Sequence, residues 1–192
     1  MSDDLTPDSI PKPPEPEEQK ADDQEQPEFQ ISEHDAERAL EVFRQEQNLV
    51  VGSMAGLVAA VSGAAVWAGV TVATEYQIGW MAVGLGFLVG IAMRTMGKGI
   101  DQVFGVVGAV MALVGCLLGN VFTIAWYLSA QTGSSLLSVL TQLDMELVIN
   151  LITETFQVID ILFYGLALYF GYKYAFRQLT LDDFNRALGR AM

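Results

Sequence analysis

Cysteine and histidine are nearly missing from this chain. There is one Cys, Cys116, and one His, His34, among 192 residues. A single Cys excludes an intrachain disulfide, and a single His excludes a metal site built from a His/Cys cluster. Proline is confined to residues 1–30, which hold all six. Positive charge is scarce, with ten Lys/Arg against 23 Asp/Glu. That balance argues against nucleic-acid binding. Most of the acidity sits before residue 49, so the remainder is close to neutral. No apolar run precedes residue 49, and the acidic Met-Ser-Asp-Asp-Leu start is expected to carry no secretory signal. No catalytic residue, cofactor or metal ligand set is assigned.

What the chain has instead is long apolar stretches. Residues are 52% hydrophobic and 17% charged. Whole segments are apolar all round, as lipid contact requires, rather than alternating to bury one face. The organising stretch is the hairpin Ile78–Ser129, two apolar runs joined by the basic, glycine-flanked turn Arg94–Asp101. Each run approaches or exceeds the roughly 20 residues that cross hydrocarbon about 30 Å thick. One apolar run lies upstream and one downstream. The expected fold class is therefore all-α, a polytopic membrane protein with four transmembrane helices. The spans are placed at about 49–72, 78–96, 103–129 and 157–176, within a membrane domain of 49–177.

The ends read differently. Residues 1–30, acidic and rich in Pro, cannot bury enough surface to offset their ordering entropy and are expected to be a disordered cytoplasmic tail. A juxtamembrane amphipathic helix is expected over 31–48. A capping signature at Ser32–Asp35 opens it, and Ala36, Ala39, Leu40 and Phe43 follow at helical spacing. A tail helix is expected over 178–192, capped at Thr180–Asp183, with Phe184 and Leu188 on one side. It is expected to dock on the lipid surface or on the N-terminal helix.

Small residues recur along the spans. Gly52, Gly56, Ala60, Ala64 and Ala68 fall every fourth residue in the first, with Ala55, Ala59 and Gly63 beside them. The second span has Ala82, Gly86 and Gly90, and the third has Gly108, Ala112, Gly115 and Gly119. Such stripes let helix backbones approach closely in lipid, where hydrophobicity does not drive association. They are expected to pack against helices of this chain or of another copy. Between the third and fourth spans, Ser138, Gln142, Glu146, Asn150 and Glu154 form a polar stripe opposite regularly spaced leucines. That period predicts one amphipathic helix over 134–155, on the outer membrane surface or projecting from it.

All ten Lys/Arg fall on one side of the four-span arrangement, and the first and third connections have none. The positive-inside bias then puts both termini of a multi-pass membrane protein in the cytoplasm. Trp67, Trp80 and Trp126 are expected to anchor the opposite interface. Few polar groups enter the spans. Asn120 and Asp160 stand at comparable depth in the outer half and form the candidate polar site, reached through Glu75, Asp144, Glu146 and Glu154. They read as a proton, cation or substrate site, or else Asp160 caps the last span or hydrogen-bonds Asn120 to fix helix packing. Cys116 is expected to be a packing residue, and Arg94 to snorkel to the inner headgroups.

Arg94–Asp101 before Phe104-Gly105, then Leu113–Asn120, Asp160 followed by Phe163-Tyr-Gly165 and Ala167, and Gly171-Tyr-Lys173 together resemble a group of small uncharacterised bacterial integral membrane proteins. The resemblance covers roughly residues 70–177. It implies a bacterial inner-membrane location and transfers no activity.

Three function classes follow. The first is a non-enzymatic structural or accessory subunit, a homo-oligomer or a partner of another membrane protein within the lipid bilayer. The alternative is a small transporter or channel using Asp160. A membrane enzyme would need clustered Asp/Glu, His or a Ser/Lys pair at one depth, a pattern the spans do not contain.

Overall fold

The computed structural model describes residues 32–155 and 157–189. The segment 1–30, read above as disordered, lies outside the described residues, as do Ile31, the first residue of the expected 31–48 helix, Phe156 and 190–192. Contacts divide the chain into 1–32 and 33–192, and the second unit is the one described. It is all-helical among the described residues, in the order α1 (Glu33–Glu46), α2 (Leu49–Thr74), α3 (Trp80–Gly97), α4 (Gln102–Thr132), α5 (Leu136–Gln142), α6 (Met145–Thr155), α7 (Val158–Tyr174) and α8 (Leu181–Ala187).

Local chemistry sets the boundaries. Asn48 opens α2, its side-chain oxygen accepting the Val51 N–H at 3.0 Å. The helix runs without a charge until Glu75 turns left-handed at φ 58°. Lys98 ends α3 in the same conformation, with its N–H on Arg94 O at 3.1 Å. α2, α3 and α4 are each long and apolar enough to cross a membrane. α7 has 17 residues and spans about 25 Å, somewhat under a hydrocarbon thickness of about 30 Å.

α2 packs on α3 and α4, α7 packs on the same two helices, and α3 touches α4. Among the described residues α2 and α7 do not meet, so α3 and α4 occupy the short diagonal of a four-helix bundle. The small residues lie in its seams. The whole stripe from Gly52 to Ala68 is buried. A Cβ on Gly52 would come 3.1 Å from Gly97 Cα, and one on Gly56 would come 2.8 Å from Met93 Cγ. Across the bundle, Gly108 and Gly171 face backbone to backbone, a Cβ on either lying within 2.7 Å of the other's carbonyl oxygen. Gly86 rests on the Ala167 backbone, Gly90 on Tyr174, and Gly115 against Leu85 and Ala60. These seams join helices of one chain, so the stripe's neighbours are internal. The core between them holds Trp67, Leu85, Val89, Ala112, Cys116 and Ala167.

Two expectations change. The stretch 134–155 is not one amphipathic helix. α5 and α6 meet at 99° because Leu143 is extended (φ −61°, ψ 116°) and a new helix begins after Asp144. Asp144 O accepts the Val148 N–H at 3.0 Å, placing an aspartate at a helix start, where it is favoured, rather than inside a helix, where it is not. Trp80 and Trp126 are exposed, but Trp67 is 2% exposed and belongs to the core. Its indole lies where a Gly119 Cβ would otherwise stand, 3.2 Å from Cδ2. Among the described residues of 178–192 the tail helix covers Leu181–Ala187, and it packs on α1, one of the two surfaces expected for it.

Candidate functional site

Two polar clusters stand at opposite ends of the bundle. The first contains the residues singled out from sequence. Asn120, half-buried on α4, uses its oxygen to accept from Gln77 Nε2 at 3.0 Å. Its amide donates to Cys116 O at 3.3 Å and to the Tyr164 hydroxyl of α7. Gln77 comes from the α2–α3 connection, so the amide ties three parts of the chain together. Asp160 does not pair with Asn120. Its carboxylate accepts the Gln157 N–H at 2.8 Å and completes a capping box at the start of α7. A helix N-terminus gathers unsatisfied N–H groups and partial positive charge, which suits a carboxylate. Tyr164, one turn after Asp160, was not singled out. The i, i+4 spacing from a span-opening carboxylate was the available signal.

On α2, Trp67 Nε1 and Thr71 Oγ1 are buried without a hydrogen-bond partner among the described residues. They sit one turn apart on α2, at 2% and 5% exposure. The other expected access residues are spread along separate segments: Glu75 ends α2, Asp144 separates α5 from α6, and Glu146 and Glu154 lie on α6.

The second cluster was not legible as a unit. It gathers the α1–α2 junction, the α3–α4 turn and the segment after α7. The Asn48 N–H donates to Gly97 O at 2.8 Å, and the Arg177 N–H to Gly99 O at 2.7 Å. Gln47 accepts from Ile100 N at 3.2 Å and donates to Asp101. Asp101 also pairs with Arg44 at 3.5 Å. Arg177 is the centre of the group. Its guanidinium bonds Glu46 of α1 at 2.7 Å and Asp183 of α8 at 3.2 Å, and lies 4.9 Å from the centroid of the Phe43 ring. Its side chain is 18% exposed. Phe43 in turn meets Phe184 edge-on, with centroids 5.4 Å apart.

Asp183 divides its two oxygens between tasks. Oδ2 accepts from the Thr180 backbone N–H at 3.1 Å and from the Thr180 hydroxyl at 2.8 Å, while Oδ1 faces Arg177. The Thr180 backbone bond first, then the Thr180 hydroxyl and Arg177, hold its carboxyl below the usual carboxylate range.

Two apolar grooves run along the outer α2–α3 seam. One, of about 240 Å³, is lined by Gly63, Val66, Trp80 and Leu88. The other, of about 570 Å³, is lined by Met54, Ala55, Val58 and Met96. Comparison with known proteins found no matching family model, no similar curated protein and no similar solved structure.

Proposed function

We propose that the chain is a multi-pass membrane protein acting as a non-enzymatic structural or accessory subunit. In this reading α2, α3, α4 and α7 cross the bilayer, α5 and α6 lie at the outer surface, and both termini are cytoplasmic. One observation carries it. The bundle is closed by glycine seams at near backbone contact, and its polar side chain at the mouth of α7, Asp160, is committed to that helix's own first turn. Lys173 stands in the last turn of α7, where a cation suits the helix C-terminus and the headgroup region. Placement in a bacterial inner membrane rests on the motif resemblance and on the one-sided cations. With the first stripe engaged inside the chain, contact with a second copy or another membrane protein falls to outer faces such as the α2–α3 seam.

A small transporter or channel is the second reading. It is favoured by the hydrogen-bonded line from exposed Gln77 through Asn120 to Tyr164, which leads inward from the bundle's mouth. The two readings separate on Asp160→Asn together with purification in mild detergent. An accessory subunit should co-purify with a stoichiometric membrane partner or with itself, and Asp160→Asn should keep both that association and any cellular phenotype. Loss of the phenotype with fold and association intact would favour transport, because an amide does not titrate.

A further inference from the structure

We propose that Arg177 is the keystone of an electrostatic clasp between α1 and α8, whose release uncovers the apolar stripe of α1 while the four-helix bundle stays intact. The inference stands on the geometry of the second cluster and is independent of the functional reading above.

Among the described helices, α1 and α8 pack only on each other. That contact is small. α8 has seven residues, and none of them is fully buried. Ala39 and Phe43 of α1 are nonetheless 0% and 2% exposed. A short helix with little apolar contact belongs to the low-stability part of a fold and opens locally. What reinforces it is charge. Arg177 bridges Glu46 and Asp183, which sit on the two partners. Without the guanidinium these two carboxylates would lose the cation they share, and like charges left on facing partners repel. The other charged groups nearby do not replace it. Arg44 is engaged with Asp101 of the α3–α4 turn, and Arg186 stands 4.0 Å from Asp183 with 76% of its side chain exposed. Gln47, Arg44 and Asn48 continue to hold the start of α2 to the turn when the clasp opens, so α8 leaves and the bundle end remains joined.

Salt should act in the same direction as removal of the guanidinium. Raising ionic strength from about 0.1 M to about 1 M shortens the screening length from about 10 Å to about 3 Å. Glu46 has 44% of its side chain exposed, so its pair is open to screening.

The test uses the full chain in mild detergent and a water-soluble maleimide. Cys116 is buried, which leaves the background low. Ala39→Cys should label slowly and Leu40→Cys, at an exposed neighbouring position, quickly. Arg177→Gln should speed labelling of Ala39→Cys about tenfold and leave Leu40→Cys unchanged, with Cys116 still protected. Equal labelling of Ala39→Cys with and without Arg177→Gln would overturn the proposal. So would labelling of Cys116 alongside Ala39→Cys in a variant that folds, because the bundle would then open with the clasp. Should Arg177→Gln fail to accumulate, otherwise native protein carrying Ala39→Cys decides the matter. Faster labelling at about 1 M than at about 0.1 M NaCl supports the clasp, and equal rates overturn it.

Discussion

Thr71 Oγ1 and Trp67 Nε1 are polar atoms that the bundle buries without giving them a partner. An orphaned buried hydroxyl costs on the order of 1–3 kcal/mol, and an isosteric apolar side chain removes that cost. Thr71→Val should therefore stabilise the protein by about 1 kcal/mol, read as a higher midpoint of thermal unfolding in detergent. A lower midpoint would mean that the hydroxyl is engaged, for instance by an internal water. Asp160 makes an opposite case. Asp160→Ala should lose about 1 kcal/mol through the α7 cap, whereas Asp160→Asn should lose less because its amide oxygen still accepts the Gln157 N–H. For Asp183 the sign follows from its depressed carboxyl. The stability it contributes is fully present above the ordinary carboxylate pKa of about 3.9 and is lost as pH falls through the lower folded value. Amide exchange over 181–188, corrected for its intrinsic pH dependence, should accelerate across that acid range. Asp183→Asn should flatten the profile.

Helix seams make a sharper contrast. Gly86 and Gly84 are two residues apart on α3, yet a Cβ on Gly86 would run into the Ala167 backbone and one on Gly84 would meet nothing within 4 Å. Gly86→Leu should destabilise the chain by roughly 1–3 kcal/mol or more, because the atoms in its way are backbone and yield little. Gly84→Leu, facing outward, should be within about 0.5 kcal/mol of the parent. Equal losses measured by detergent unfolding would refute the α3–α7 seam. Why these elements could be read from sequence is physical. In an apolar span the small residues are the only pattern left, and their spacing of four survives into the seams. The α5–α6 bend was hidden because the polar stripe from Ser138 to Glu154 keeps its period across Leu143, so periodicity does not register one extended residue. Trp67 was misplaced for another reason. Aromatics favour interfaces in general, and only the neighbouring helix, through Gly119, offers the slot that draws this one inward. Arg177 and Glu46 lie 131 residues apart, and neither stands in a local pattern that announces the other.

Across the whole molecule, closure at one end constrains how the chain can thread a bilayer. Asn48 bonds Gly97, and Arg177 bonds Gly99, so the start of α2, the α3–α4 turn and the end of α7 share one end. If α2, α3 and α4 each cross, Gly133 lies on the far side and the chain must return to residue 177 by an odd number of crossings. The bent α5–α6 pair and α7 cannot both cross, because two crossings would leave residue 177 on the far side. In the proposed topology the crossing falls to α7, which runs unbroken from Val158 to the turn-bonded end, while α5 and α6 contact only α4 among the described helices. The proposed direction rests on the cations: Arg44, Arg94, Lys98, Arg177 and Arg186 are all at or beyond the closed end, and the positive-inside bias would turn that end to the cytoplasm. Reporter fusions should score cytoplasmic after residues 98 and 192 and extracytoplasmic after 76 and 140. The two kinds of failure are distinct. A complete inversion of all four signals would overturn the orientation and spare the fold. Fusions after 98 and 192 on opposite sides would break the Arg177–Gly99 closure itself, and with it the four-helix bundle as described.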